Sequence, residues 1–172
     1  MKATFLIPIL FFSLSMMISS CSDGDIYKEY QELPGYKWER IDKGKSVVFD
    51  NIEIKNTDDS YDVHVMIRHT PFVNEDKIKF KMLITSPSGI TRESVHTIAL
   101  KDRSGKQWVG EALGDLIDIE EVCKKYISFP EEGLYTIELV NMGNKYETIG
   151  IMELGLRVIK SDLEIKTKNK VS

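Results

Sequence analysis

Two cysteines and three histidines carry most of the nucleophilic and metal-binding potential of this 172-residue chain. His64 lies on the polar side of "YDVHVMIRH" beside Arg68, His69 closes that stretch before a Thr-Pro turn, and His96 sits among β-branched residues. None has a second ligand at a spacing such as H-x₃-H or C-x₂-C, so they read as surface or strand-end histidines and no metal is expected. Cys123 is in phase with Ile127 and Phe129. Free cysteine packs as a small hydrophobe, whereas a reactive thiol needs an electropositive, partly exposed setting. Lys124 and Lys125 supply charge but no histidine is near in sequence, so Cys123 reads as a core residue. The acidic pairs Asp58-Asp59 and Glu75-Asp76 fall in turns, where Asp serves backbone geometry, and neither has the alternating oxygen spacing of a calcium loop. No nucleophile elbow, phosphate loop or zinc-hydrolase motif is present. No catalytic residue and no cofactor are assigned.

Cys21 is different. It ends "FLIPILFFSLSMMISSC", which follows the basic Lys2. A basic start, an apolar segment and the small residues Ser19 and Ser20 compose a secretory signal peptide over residues 1–20. The run is too short and too serine-rich for a spanning helix, which needs about 20 mostly apolar residues. "ISSC" resembles a bacterial lipobox with Ile18 in place of the usual Leu. Cys21 is therefore expected to become the first mature residue and to carry acyl chains into a membrane. Each buried CH₂ adds about 0.8 kcal/mol of membrane affinity, and two or more chains make a stable anchor. Cys123 then has no disulfide partner.

One further stretch stands apart, "GKQWVGEALGD" over 105–115. Trp108 lies there among glycines. One reading is a binding loop, with Trp108 as an aromatic anchor and Gly110 and Gly114 bending the backbone for partner contact. The other is a crossover whose tryptophan plugs the end of the domain, and this second reading is adopted.

These residues need a scaffold, and the dominant period from residue 45 onward is two. Tyr61, Val63, Val65 and Ile67 alternate with polar neighbours. So do Ile78, Phe80, Met82 and Ile84, then Tyr135, Ile137 and Leu139, then Met152, Leu154, Leu156 and Val158. Such alternation marks half-buried strands. With 46–54, 92–100 and 122–129 the count is about seven or eight strands, separated by turn chemistry such as "NTDDS", "PSG" and "PEEG". One-sided alternation implies antiparallel sheets that bury their apolar faces against each other. The expected fold is an all-β antiparallel sandwich, jelly-roll or immunoglobulin-like, with a short helix or irregular crossover near 110–122. Residues 21–44 read as a lipidated start and tether whose second half packs on the domain. The sandwich is expected over 45–160 and a polar tail over 161–172. The net charge of −4 with interspersed signs offers no basic patch for nucleic acid.

Several stretches together resemble the gliding-motility lipoprotein GldH family of Bacteroidota. "YKEYQELP" after Cys21, "IRHTPFVNED", "GKQWVGEALGD" (with Ala112 where a glycine is common), "FPEEGLYTIEL" and "GIMELGLRV" carry the likeness over nearly all of the mature chain. Asp23 and Asp25 also resemble the acidic tag that directs some lipoproteins of that phylum to the cell surface. The resemblance implies a non-catalytic envelope lipoprotein, most simply of the outer membrane. It would work through contacts with envelope proteins of a gliding or type IX secretion assembly, and the face it occupies is left open. The alternative is a carbohydrate-binding surface lipoprotein using Trp38, Trp108 and the tyrosines.

Overall fold

The computed structural model describes residues 24–40 and 46–161. The signal peptide, Cys21 and all of the expected tail except Ser161 lie outside the described residues. Eleven strands follow in order: β1 Asp25–Glu32, β2 Lys37–Glu39, β3 Val47–Ile54, β4 Tyr61–His69, β5 Lys77–Thr85, β6 Thr91–Ala99, β7 Glu111–Leu113, β8 Leu116–Ile127, β9 Gly133–Asn141, β10 Glu147–Ile149 and β11 Ile151–Lys160. They form a five-stranded sheet in the order β1-β11-β4-β8-β7, a four-stranded sheet β3-β9-β5-β6, and the small pair β10-β2. All named pairings are antiparallel.

The alternation seen in the sequence sorts the side chains as expected. Val63, Val65 and Ile67 of β4 face Phe80 and Met82 of β5, Ile137 and Leu139 of β9 and Leu154 and Leu156 of β11 in one core, all nearly free of solvent. Burial of this apolar area, worth about 25 cal/mol per Å², is what holds the two sheets together. The fold is thus an all-β, sandwich-like arrangement with more strands than anticipated.

Two parts differ from expectation. Residues 25–39, read as tether, contain β1, a 3₁₀ turn at Pro34–Tyr36 and β2. β1 is an edge strand whose exposed residues mask its period. Residues 110–122 hold neither a helix nor an irregular crossover but the β7–β8 hairpin. Its two-residue loop is Gly114-Asp115, with Leu113 opposite Leu116. Gly114 adopts φ +64°, the left-handed first position that a tight hairpin turn reserves for glycine.

The registers define two ends. At the near end, where β1 begins, Asp25 lies opposite Ile159, and Tyr61 lies between Lys160 and Ile127. At the far end, His69 lies between Ile151 and Ile117.

Candidate functional site

On one side the sheets close, with β1 packed beside β3 and the Gln31 amide donating to the Val48 carbonyl. On the other side they stay open. β6 ends the four-stranded sheet and has no neighbour beyond it among the described residues, while the opposing sheet continues through β8 to β7. The inward side chains of β6 record the opening: Ile98 is buried, His96 and Ser94 are half-buried, and Arg92 is exposed. Trp108, Cys123, Ile84 and Ile127 pack against the core along this side but remain partly accessible.

At the far end the β6–β7 crossover spans the opening. After β6 the Asp102 carboxylate accepts from Ser104 Oγ at 2.8 Å and from the Lys106 and Gln107 amides at 3.1 and 3.3 Å. The Ser104 hydroxyl, with these amides, holds its pKa below the usual carboxylate value. This tight loop returns the chain so that Trp108 bridges to Lys101 and the Val109 amide donates to the Leu100 carbonyl at 2.8 Å. The Trp108 ring meets His69 edge to face, with centroids 5.1 Å apart. Lys101 Nζ stands 4.8 Å from the indole centroid and pairs with Asp76 at 2.6 Å. Gly110, at φ +105°, leaves no room for a side chain: a Cβ would lie 2.3 Å from the Asp118 carbonyl oxygen. Trp108 therefore covers the far part of the opening and keeps some of its surface in solvent. His69 is fully buried, with Nδ1 2.9 Å from the Thr70 carbonyl. Burial pushes its pKa down, so it packs as a neutral ring.

At the near end none of the described residues spans the opening, and a cavity of about 140 Å³ remains. Ile84, Ile127, Phe129 and Tyr135 form an apolar floor, with Arg92 and Lys124 around them. Tyr61, Phe129 and Tyr135 meet edge to face in sequence, with centroids 5.3 and 4.7 Å apart, and fix that floor. The two carboxylates here are already engaged. Glu93 pairs with Lys81 at 2.9 Å. Glu131 accepts from the Ser88 hydroxyl at 2.7 Å and the Ser88 amide at 3.1 Å, contacts that lower its pKa. Arg92 and Lys124 make no ion pair with the described residues. An apolar floor with a few convergent charges is the usual make-up of a binding cleft.

The remaining candidates are dispersed. Cys123 is half-buried, and burial, with Glu121 adding to it, pushes its thiol pKa up to about 12, the opposite of an activated thiol. His96 stacks on Phe80, centroids 5.6 Å apart. His64 Nδ1 lies 2.7 Å from Glu120 on the outer face. Asp59 pairs with Lys160 and Glu75 with Lys145. Trp38 of β2 is buried against Phe80, so it offers no exposed platform. Among the described residues no three His, Cys, Asp or Glu side chains converge to hold a metal. Sequence reasoning missed a charged network on the outer face of the larger sheet. There Arg68 joins Asp118 and Glu153 under Tyr30, and Arg157 joins Asp25 and Glu120. Alternation placed Arg68 outward, but its partners lie on other strands.

No solved structure matches this chain. A protein described as a gliding motility lipoprotein GldH homolog from Christiangramia forsetii is 26% identical over 174 residues, spanning 94% of this chain and 99% of that relative. Residues 25–158 match the family described as GldH lipoprotein. That match takes in both sheets, the Trp108 crossover and the near-end cavity, and the chain belongs to the GldH lipoprotein family.

Proposed function

We propose that the protein is a non-catalytic, lipid-anchored component of the cell envelope, held in the outer membrane through acyl chains on Cys21. It acts by contact with protein partners in a gliding or type IX secretion assembly. The observation that carries this reading is the match to a lipoprotein family that begins at residue 25, just after a cysteine in a lipobox-like setting. Four residue steps separate Cys21 from the start of β1 at Asp25. Even fully extended they reach only about 14 Å, so the near end sits close to the bilayer. Strands of 9 residues then carry the Trp108 crossover about 30 Å outward. The open side between β6 and β8 is the contact surface, with the exposed part of Trp108 at its outer end.

The test has two arms. The Cys21→Ser protein should leave the detergent-extractable membrane fraction, and the acylated protein should co-purify from solubilised envelopes with components of a gliding or secretion assembly. A Cys21→Ser protein that remains wholly membrane-bound overturns the anchor. Purification of the acylated protein free of such components overturns the assembly role.

A further inference from the structure

The four-stranded sheet ends at β6, whose edge is blunted only by the charges of Arg92 and Glu93 near its start. β6 is 9 residues long, "TRESVHTIA", with no proline and no lysine. It pairs with β5 without a bulge from Thr91↔Thr85 to Ala99↔Lys77. Natural edge strands are normally shortened, bulged, covered or charged.

The direction of its free backbone groups follows from the ladder. Just outside it, the Ser86 amide donates to the Ile90 carbonyl and the Leu100 amide to the Asp76 carbonyl, both at 2.9 Å. Facing pairs alternate between hydrogen-bonded and non-bonded in an antiparallel ladder. The even-numbered residues of β6 therefore turn their backbone groups toward β5. Thr91, Glu93, Val95, Thr97 and Ala99 turn their N–H and C=O groups to the open edge, and all five are exposed. Beside this edge lie the cavity with its apolar floor and the cations Arg92 and Lys124, which make no ion pair with the described residues.

We propose that β6 accepts an extended segment of a partner protein as an added strand of the smaller sheet. The segment carries an apolar side chain that enters the near-end cavity and a carboxylate that meets Arg92 and Lys124. Strand addition takes its affinity from main-chain hydrogen bonds and its specificity from pockets for alternate side chains. The occupant is acidic on its inward face because Glu93 turns outward to Lys81, and Glu131, held by Ser88, is the one carboxylate facing Arg92 and Lys124, which make no ion pair among the described residues. A second copy of this chain is a poor complement, since its β6 would bring another Arg92 to the same face. On its outward face the segment is uncharged, next to Glu93, Val95 and Thr97. This identifies the mode of the contact in the function proposed above and rests on that reading.

The probe is a labelled synthetic peptide of the length of β6, with threonine at alternate positions and isoleucine and glutamate between them. Its counterpart has lysine for glutamate. Binding is measured to the full chain purified in detergent. The glutamate peptide should bind, and the lysine peptide should bind at least about tenfold more weakly. Val95→Pro deletes an outward N–H that β5 does not use, a substitution that an edge strand tolerates. It should abolish binding while leaving the melting temperature nearly unchanged. Arg92→Glu combined with Lys124→Glu should reverse the peptide preference, and it tests the cleft without touching the backbone. No binding by either peptide, equal binding of both, or undiminished binding to Val95→Pro overturns the proposal. So does concentration-dependent self-association that Val95→Pro abolishes, because the occupant would then be a second copy. None of these outcomes alters membrane fractionation or co-purification, so failure here is separable from failure of the anchored-assembly reading.

Discussion

The Trp108 indole meets the His69 imidazole edge to face with centroids 5.1 Å apart, which ties the β6–β7 crossover to the end of β4. Edge-to-face pairs add about 0.5–1.5 kcal/mol beyond area burial. Truncating a fully buried aromatic costs about 3–5 kcal/mol. Trp108 is only partly buried, so Trp108→Ala should destabilise the domain by roughly 2–3 kcal/mol. Thermal denaturation should show a clear drop in melting temperature, with Trp108→Phe intermediate. An unchanged melting temperature would show that the indole does not hold the crossover in place.

The same contact predicts acid sensitivity. Burial holds the His69 pKa below its ordinary value, and burial assisted by Lys124 does the same for His96. In the unfolded chain both rings take up a proton as the pH falls through about 6.5, whereas the folded protein resists until lower pH. The stabilisation is therefore fully present above the unfolded pKa and is lost as the pH falls toward the folded values. Urea midpoints should decline between about pH 7.5 and 5, and His69→Gln should flatten part of that decline. A level midpoint across the range, or an undiminished slope in His69→Gln, contradicts this account.

The strands with strict alternation, β4, β5, β9 and β11, were legible because each buries one face and wets the other. β1 was not. Its Tyr27 packs inward on the core while Tyr30 spreads over Arg68 on the opposite face, so large residues occur on both sides and the period is lost. In β8 the register shifts between Val63 opposite Lys124 and His64 opposite Val122, which breaks the alternation partway along. The hairpin before it did leave a signal: Gly114-Asp115 between two leucines is a tight-turn pair, obscured when the glycines are weighed only as helix breakers. The cavity was illegible in any local window. Its walls come from β5, β6, β8, β9 and the loop after β8, and only the sheet order brings them together.

Arg68 shows the same non-local logic on the outer face. Its guanidinium donates from Nε and Nη2 to the two Asp118 oxygens, both at 2.8 Å, and from Nη1 to Glu153 at 2.7 Å. One side chain thereby links β8, β4 and β11. Lysine keeps the charge but cannot reproduce the two-pronged contact. Arg68→Lys should cost about 1–2 kcal/mol in urea denaturation, allowing for partial solvent screening. The loss should shrink in Asp118→Asn, where the fork has already lost its charged partner. Equal losses in both backgrounds would show that the pair is not coupled.

Gly110 and Gly114 are separable by substitution. Both hold positive φ, +105° and +64°, where L side chains are strained. Their surroundings differ. A Cβ at Gly114 meets nothing within 4 Å, whereas one at Gly110 would lie 2.3 Å from the Asp118 oxygen and 2.8 Å from Ile119 Cγ1. Gly114→Ala should cost only about 1–2 kcal/mol, the ordinary penalty for a left-handed residue, and Gly114→Asn less, since Asn visits that region readily. Gly110→Ala must in addition push the crossover off β8, and overpacking of this kind adds about 1–3 kcal/mol. It should also weaken the contact of Trp108 with His69, which would appear as a change in tryptophan fluorescence of the folded protein. If the two alanine variants melt alike with unchanged fluorescence, the crossover is not held against β8 through Gly110. Loss of partner co-purification in Gly110→Ala with a normal melting temperature would instead make this glycine a direct contact.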